Sequence, residues 1–371
     1  AYDMAMGTSQ MLGCLTERLQ AISADATLTC FGQEFNPETY AIAKADMLIK
    51  GGNASGMKYG DTLSDDAFSG YEFDYIISNP PFGIDWKREK TQVESEAKRG
   101  FDGRFGPGLP AISDGQMLFL LNGVRKLKTG SGRMAIIQNG SSLFTGDAGS
   151  GASEIRRYVI EGDLVEAIIQ MPTDLFYNTG ISTYIWVLTK GKTMQRSGRV
   201  QLIDASKCYV KRRKNIGNKR VDLDDACIRL ILRAYEGFAD ETCEDNGLIV
   251  ESKVFDNRFF GFTKVTVETA QTDEHGKPVL KKGKKQPVKG ASDTEIIPLS
   301  EDIDAYMEKN VLPYNPLAYI DHAKDKIGYE VPFTRLFYQF VPPTPSDEIF
   351  AEIKELEAEE AVLMKELFGN A

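Results

Sequence analysis

The stretch FDYIISNPPFG, residues 73–83, decides how the rest of the sequence is interpreted. Its first half is rich in aromatic and β-branched residues, which favour a strand. The strand cannot continue through Pro80 and Pro81, because each proline fixes φ and lacks a backbone donor. We therefore predict a strand that ends at Asn79 and leaves the sheet in a stiff, extended form, which is a suitable place to hold reactive groups.

The composition is typical of a globular protein. Its 371 residues, 42% hydrophobic and 26% charged, are enough for one large or two ordinary domains. The sequence shows neither an apolar run of membrane-spanning length nor a signal-peptide pattern, so we expect a cytoplasmic protein without a membrane segment. Five scattered cysteines without a CxxC pair predict reduced thiols, and the presence of only two histidines disfavours a histidine triad or a metal centre.

The net charge of −10 conceals two basic segments. Residues 207–220 hold seven lysines or arginines and no acid, and residues 276–290 hold six lysines. In the first segment, Arg212 and Arg213 are our candidates for contacts with nucleic-acid phosphates, with a solvated surface as the alternative. The second lies within a stretch rich in Gly, Pro and Lys, residues 275–293, which we predict to be a mobile linker.

Short apolar runs alternate with amphipathic segments over the first 190 residues, which predicts an α/β sheet with crossover helices. We expect strands at 28–34, 73–79, 132–139, 164–171 and 182–191, the last two as neighbours, and helices at 36–51, 114–130 and around 152–162. Beyond residue 192 the pattern changes to basic loops, a helix near 222–237, short strands such as 261–269 and an amphipathic helix from Ser346 to Leu367. The sequence therefore predicts two parts, residues 1–191 and residues 192–371.

Polar residues follow successive predicted strands. YDMAMGTSQML, residues 2–12, places a loop of small residues around Gly7 before a helix, although a simple tight turn is also possible. Glu34 ends the second strand, Asp61 follows a weak third strand, and Asn79 ends the fourth. Any one of these residues alone would be an ordinary cap or turn residue. As an ordered series they predict one ligand crevice at the carboxyl ends of the strands, with Glu34 on ribose hydroxyls and Asp61 near an adenine amino group.

The order DxAxGT, an acid, GD and then NPPF resembles the catalytic domain of amino-group DNA methyltransferases that use S-adenosylmethionine. Residues 114–144, 171–192 and 327–343 are similar to the modification subunit of type I restriction-modification systems. The resemblance implies a Rossmann-like methyltransferase sheet and assigns residues 1–191 to the catalytic domain. It also implies methyl transfer to adenine N6 of double-stranded DNA, in a complex with a specificity subunit, with or without a restriction subunit.

The resemblance further assigns roles to residues of this chain. The cofactor would contact Asp3, Ala5, Gly7 and Thr8 with its methionine moiety, Glu34 with its ribose, and Asp61 and Thr62 with its adenine. The target base would enter a pocket formed by Asn79, Pro80, Pro81 and Phe82, with Phe176 or its rival Tyr177 as a second aromatic face.

The sequence departs from the family pattern in its first segment. Met4 stands where proline is usual, and Ser9 stands where glycine is usual. The family also has a helical domain and a further cofactor-contacting segment before the position of Asp3. We therefore expect that residues preceding Ala1 are missing.

Asn-Pro-Pro-Phe suits an exocyclic amine, whose lone pair is delocalised into the ring. If the Asn79 side-chain carbonyl and the Pro80 main-chain carbonyl each accept one amino hydrogen, the nitrogen lone pair is directed at the sulfonium methyl. The base must first rotate out of the duplex, and Phe82 could stack on it. Two alternatives stay open: a methyltransferase acting on RNA or on protein glutamine, and a non-catalytic assembly module with a truncated methylase fold.

Overall fold

The computed structural model describes residues 1–338, 340 and 342–369. Gln339 and Val341, which belong to the stretch 327–343 used above, lie outside the described residues. The chain forms two compact units, residues 1–333 and residues 334–371. The larger unit contains residues from before and after residue 191. The division into a catalytic domain and a C-terminal region, expected at that residue, stays a prediction.

Strands account for most of the larger unit. In chain order they are β1 (Tyr2–Asp3), β2 (Phe31–Glu34), β3 (Met57–Tyr59), β4 (Tyr75–Ser78), β5 (Arg133–Asn139), β6 (Val165–Gln170), β7 (Thr183–Thr189), β8 (Arg199–Asp204), β9 (Val210–Ile216), β10 (Lys219–Asp222), β11 (Glu241–Asp245), β12 (Leu248–Asp256), β13 (Gly261–Ala270), β14 (Leu280–Lys281), β15 (Lys284–Lys285), β16 (Pro287–Pro298), β17 (Ala318–Ile320) and β18 (Lys326–Tyr329).

The helices connect and cover these strands. They are α1 (Gln10–Ile22), α2 (Pro37–Ile49), α3 (Lys90–Ala97), α4 (Gln116–Lys126), α5 (Ser141–Phe144), α6 (Gly151–Glu161), α7 (Asp225–Gly237), α8 (Ile303–Asn310), α9 (Phe333–Phe337) and α10 (Ser346–Phe368).

Ten strands form one mixed sheet in the order β11-β12-β8-β6-β7-β5-β4-β1-β2-β3. The pairs β1–β2, β2–β3, β1–β4 and β4–β5 are parallel, whereas β7 is antiparallel to both β5 and β6. Along the chain, β2 and β3 are added in turn on one side of β1, and β4 is then added on the other side of β1. The topological switch point, where doubly wound sheets bind ligands, therefore lies between β1 and β4.

Local sequence explains these elements. The strand β6 reads VEAIIQ and is buried along its first five residues, as expected for a strand covered on both faces. The helix α2 begins at Pro37, and the Asn36 side chain accepts a hydrogen bond from the Thr39 amide, so both start signals are used. The core is built from fully buried apolar side chains, among them Leu118, Ile136, Ile168 and Trp186.

The predicted elements of the first 190 residues are confirmed, with ends that differ by a few residues. The prediction of a mobile linker at 275–293 is wrong. Residues 280–285 form the hairpin β14–β15, and β16 pairs along β13. The reason is that β13 offers a pairing edge, and the turn residues Lys282 and Gly283 both have positive φ, as a two-residue hairpin requires.

A second sheet, of four strands, packs on the first through α6. In it, β13 pairs with β16, β17 and β18, and α8 covers an apolar cluster that includes Val265, Ile297 and Met307. Arg156 of α6 is buried and donates hydrogen bonds to the carbonyls of Tyr329 and Ser142, which fixes β18 against the helix.

The smaller unit contains α10, and the residue range of this helix, Ser346–Phe368, agrees with the amphipathic helix predicted from Ser346 to Leu367. None of the helices in the described part of the chain combines the length and the apolar character that a bilayer crossing requires. All five cysteines are free thiols.

Replacing Ile168 by alanine is expected to lower the free energy of unfolding by about 2–5 kcal/mol, because the side chain is 0% exposed in a central strand. The matched control Ile296→Ala removes a strand isoleucine that is 57% exposed, and we expect a change of less than about 1 kcal/mol. Urea denaturation followed by circular dichroism measures both. Equal losses for the two variants would contradict the described core.

Candidate active site

Four strand ends meet at the switch point. Asp3 ends β1, Glu34 ends β2, Asp61 lies just beyond β3, and Asn79 directly follows β4. Glu34, Asp61 and Asn79 line a cleft of about 280 Å³, just below the ~300–1,000 Å³ usual for small-molecule sites. Its lining residues are Met4, Ala5, Gln33, Glu34, Phe35, Gly60, Asp61, Thr62, Asn79, Pro81 and Phe119.

The loop after β1 is closed by the Glu34 carboxylate. Glu34 Oε2 accepts a hydrogen bond of 3.0 Å from the Gly7 amide, and Oε1 accepts one of 2.9 Å from the Asn36 amide. Gly7 has φ of 53° and Ser9 has φ of 62°, so two residues of this loop adopt the left-handed conformation that glycine favours. Each carboxylate oxygen keeps acceptor capacity for a ligand in the cleft.

Asp3 lies behind this loop and is 1% exposed. Its Oδ1 accepts hydrogen bonds from the Ser78 hydroxyl at 2.7 Å and from the Ala5 amide at 3.1 Å. Burial raises the pKa of Asp3 to about 6; the two hydrogen bonds oppose this rise, and the nearby charge of Glu34 adds to it. Asp3 therefore connects the end of β1 to the residue that precedes Asn79.

The loop after β3 is held from behind by Arg104, which is buried. Arg104 donates to the carbonyls of Thr62 and Leu63 at 2.6 and 3.0 Å, and its guanidinium pairs with Glu96 at 2.7 Å. The Thr62 hydroxyl in turn donates to the Met4 carbonyl at 2.5 Å. The loops after β1 and β3 are thus fixed to each other by this hydrogen bond.

Asp61 is half-buried at the cleft wall. Its Oδ1 accepts from the amides of Leu63 and Ser64 at 2.7 and 3.0 Å, which orients the carboxylate. Its Oδ2 has no hydrogen-bond partner within the described residues, so this oxygen can accept from a ligand.

Asn79 is exposed to the cleft, and its side chain has no hydrogen-bond partner among residues 1–338, 340 and 342–369. Pro80 is buried, Pro81 lines the cleft, and Phe82 is half-buried outside the cleft lining. The amide oxygen of Asn79 is therefore available as an acceptor at the mouth of the cleft.

The chain after Phe82 is tied to the start of α4. The Gly83 amide donates to Asp114 Oδ1 at 3.2 Å, and the Gly115 amide donates to the Ile84 carbonyl at 3.0 Å. Gln116 and Ser141 donate to the other oxygen of Asp114. These contacts fix the chain directly after Phe82 to the start of α4.

Not every predicted residue lines the cleft. Asp3, Gly7, Thr8, Pro80 and Phe82 surround it without lining it. Phe176 and Tyr177 lie in the loop after β6, which opens at the same edge of the sheet because β6 and the strands β1, β4 and β5 share one direction.

The basic hairpin β9–β10 packs on this loop. The Asn218 amide donates to the Tyr177 carbonyl at 3.0 Å, and Lys219 Nζ lies 5.2 Å from the centre of the Tyr177 ring. Arg212 forms an ion pair with Asp222, whereas Arg213 is exposed. The two arginines that the sequence analysis treated alike therefore have different surroundings in the structure.

Phe35, Phe119, Arg104 and Asp114 are residues of this site that the sequence analysis did not predict. Phe35 and Phe119 give the cleft its aromatic surface, and Phe35 is 62% exposed. Its position directly after the strand-end carboxylate was a usable signal. Phe119 lies within the apolar run MLFLL, where nothing distinguishes a cleft residue from a core residue. Arg104 and Asp114 act through contacts that are distant in sequence.

A doubly wound sheet with two reversed strands, β7 and β12, and a crevice at its switch point defines a Rossmann-like fold of the class that binds nucleoside-containing cofactors. A family model described as N-6 DNA Methylase matches residues 1–274, and the chain belongs to this family.

Relatives and solved structures agree with this assignment. The chain is 28% identical over 267 residues to the type I restriction enzyme MjaIX methylase subunit of Methanocaldococcus jannaschii, covering 71% of this chain and 44% of that protein. It is 28% identical over 290 residues to the type I restriction enzyme HindI methylase subunit of Haemophilus influenzae, covering 76% of this chain and 61% of that protein. The chain thus spans about half the length of these curated relatives.

Among crystal structures, the methyltransferase subunit of a type I restriction-modification system from Streptococcus thermophilus has a TM-score of 0.55 and 28% identity, over 69% of this chain and 50% of that chain. The EcoKI M protein has a TM-score of 0.51 at 19% identity, over 69% of this chain and 58% of that chain, and supports the fold alone.

The pKa of Asp3 leads to a prediction about stability. Because the folded protein binds this proton more tightly than the unfolded chain, the stabilising contribution is present below about pH 4 and is lost as the pH rises through about 6. Asp3→Asn keeps the acceptor oxygen and removes the charge. We expect its unfolding free energy to exceed that of the wild type by an amount that grows with pH, reaching about 3 kcal/mol above pH 7.

Denaturation at pH 4, 5, 6, 7 and 8 measures this difference. Ser78→Ala is the matched control, because it removes a hydrogen bond to the ionised carboxylate and should steepen the loss of stability with pH. Parallel pH profiles for the wild type and Asp3→Asn would contradict the prediction.

Proposed function

We propose that this chain transfers a methyl group from S-adenosylmethionine to adenine N6 in double-stranded DNA, as the modification component of a type I restriction-modification complex. The observation that carries the proposal is Asn79, an exposed amide at the carboxyl end of β4 with no hydrogen-bond partner in the described part of the chain, on the same cleft as Glu34 and Asp61. The names of the relatives support the same reaction class.

The residues of the cleft fit the cofactor. Phe35, Phe119 and Met4 offer apolar faces to an adenine ring, and Asp61 Oδ2 offers an acceptor for its amino group. Glu34, held by two backbone amides, can accept from ribose hydroxyls. Ala5, Gly7 and Thr8 would lie along the methionine moiety, with Asp3 behind them and Thr62 supporting the adenine side. When bound, the cofactor supplies an electrophilic methyl group on a sulfonium.

The chain's own residues would act on the target amine. Asn79 accepts one amino hydrogen through its amide oxygen, and the Pro80 carbonyl accepts the other, which concentrates the nitrogen lone pair for attack. Pro80 and Pro81 keep this second acceptor rigid. Placing the amine and the methyl in line accounts for most of the acceleration, because positioning alone can lower a barrier by several kcal/mol.

The remaining predicted residues would hold the substrate. The target base has to leave the helix, and Phe82 with Phe176 or Tyr177 would stack on it, each stack contributing ~1–3 kcal/mol. Arg213, exposed on β9, would contact phosphates, and Arg212 would do so only by giving up part of its pairing with Asp222. A specificity subunit, with or without a restriction subunit, would complete the complex in the cytoplasm.

Asn79→Ala tests the proposal. We expect methyl transfer at saturating cofactor and DNA to fall by about 10²–10³-fold, the usual cost of deleting one transition-state hydrogen-bond group. Binding of S-adenosylmethionine, measured by calorimetry, should change less than about twofold. The control Asn310→Ala removes an exposed asparagine at the end of α8 and should leave both unchanged.

If Asn79→Ala loses transfer and cofactor binding to the same extent, its assigned role is wrong. If the wild-type protein binds no S-adenosylmethionine, the non-catalytic assembly module replaces the proposal.

Arg104→Lys tests the cofactor side of the cleft. Lysine keeps the charge opposite Glu96 but cannot also hold the carbonyls of Thr62 and Leu63 in one plane. We expect the Kd for S-adenosylmethionine to rise about tenfold, which corresponds to one lost charge-assisted hydrogen bond. The turnover number at saturating cofactor should stay within about threefold.

Arg99→Lys is the matched control, because Arg99 pairs with the same Glu96 from a 60% exposed position. A fall in turnover number without any change in cofactor affinity for Arg104→Lys would show that Arg104 does not act through the cofactor loop.

A further inference from the structure

Residues 271–290 form a branched β-structure at the end of the β13–β16 ribbon. Three backbone hydrogen bonds close a triangle: the Gln271 amide donates to the Gln286 carbonyl, Gln286 to Val279, and Val279 to Gln271, at 2.8, 3.0 and 2.8 Å. Two short hairpins branch from this triangle, one over 271–279 and one over 279–286. We call the second one the lysine hairpin.

The lysine hairpin concentrates positive charge on a fixed turn. It carries Lys281, Lys282, Lys284 and Lys285, all exposed, and no acidic residue occurs between Lys277 and Lys289. Lys281 lies directly opposite Lys284 in the strand pair. Like charges at directly opposed positions destabilise a strand pair, and a bound polyanion would relieve this repulsion.

Contacts with α6 define where the ribbon points. The helix α6 connects β5 to β6, which run in the same direction, so it begins at the carboxyl edge of the large sheet and ends at the opposite edge. Asn257, before β13, donates to the Ile160 carbonyl near the end of α6. Lys264 pairs at 2.8 Å with Asp147, just before α6 begins. The strand β13 therefore runs along α6 toward the carboxyl edge.

The same strand continues beyond that edge. From Lys264 to Ala270 it extends by about 20 Å at 3.3 Å per residue, and the triangle follows directly. The cleft with Asn79 opens at the same edge. The lysine hairpin and the cleft mouth thus lie on the same side of the large sheet, the side from which a duplex would have to approach if one of its bases entered the cleft.

We propose that the lysine hairpin binds the phosphate backbone of the DNA duplex whose base enters the cleft. The inference rests on the proposed function and adds to it a second contact, separate from β9–β10. A duplex fits better than an acidic protein, because four exposed lysines with Leu280 as the exposed apolar side chain of the hairpin match a phosphate track, whereas protein interfaces are usually centred on several apolar or aromatic contacts. Lys285, which lies 5.3 Å from the centre of the Tyr319 ring, is held in place for this contact.

The test uses the full chain and a fluorescent 30-base-pair duplex of arbitrary sequence, which makes recognition by a specificity subunit unnecessary. One variant replaces Lys281, Lys282, Lys284 and Lys285 by glutamine; the control replaces the same four by arginine. Anisotropy titrations between 50 and 200 mM NaCl give Kd and its salt dependence. For the glutamine variant we expect Kd at 100 mM NaCl to rise about tenfold or more, and the slope of log K against log[salt] to decrease by up to ~0.9 per lysine. The arginine variant should match the wild type.

Two further measurements separate this contact from general effects of charge. The double variant Lys281→Gln/Lys282→Gln is compared with Lys44→Gln/Lys128→Gln, which removes the same charge from α2 and from the turn after α4. Only the first pair should change the salt slope. The melting temperature of the fourfold glutamine variant should be equal to or above that of the wild type, because the opposed charges are gone.

The proposal is overturned if the fourfold glutamine variant keeps the wild-type slope, or if the wild type binds no duplex at 50 mM NaCl. It is also overturned if the fourfold glutamine substitution weakens binding of an acidic protein and leaves binding of the duplex unchanged. A wild type that binds DNA through the lysine hairpin but transfers no methyl group would instead refute the proposed reaction and leave the contact intact.

Discussion

The hydrogen bond between Ser78 and Asp3 is the constraint on which the cleft depends. It joins the ends of β1 and β4 at the point where the strand order reverses, and it is made inside the protein, where an unpaired carboxyl would cost several kcal/mol. Because Asn79 follows Ser78, its position is set by the same carboxylate that accepts from the Ala5 amide in the loop after β1. A substitution of either Ser78 or Asp3 is therefore expected to alter both walls of the cleft.

The other loops are fixed by the same type of contact. Each is held on the side away from the cleft: the loop after β3 by Arg104, and the chain after Phe82 by Asp114. This arrangement leaves the cleft-facing groups, Asn79 and one oxygen of Asp61, with unused acceptor capacity. Asp61, whose other oxygen is held by two backbone amides, is thereby prepared for a ligand without a rearrangement of the backbone.

Much of the fold was predictable, because strand ends and helix starts are local signals. The sequence FDYIISNPPFG identified β4 and its end, and Pro37 identified the start of α2. The residues Glu34, Asp61 and Asn79 were found because parallel strands bring their carboxyl ends together. Arg104 was not found, since its partners Thr62 and Leu63 lie about forty residues away and no local pattern indicates such a contact.

The segment 275–293 shows a different limit of local reasoning. Its glycines, prolines and lysines favour a flexible chain, but pairing with β13 outweighs that preference. Phe119 and Leu118 are neighbours in one apolar helix, yet the first lines the cleft and the second is buried. Only the packing of α4 against the sheet distinguishes them.

The two margins of the large sheet have a consequence for solubility. A sheet of ten strands exposes unpaired amides and carbonyls on its first and last strands, where a second molecule could add itself. At one margin β3 is only three residues long. At the other, β11 carries Glu241, Glu244 and Asp245, whose negative charges would repel the same strand of another copy. Short length on one side and charge on the other thus protect the protein from aggregation by strand addition.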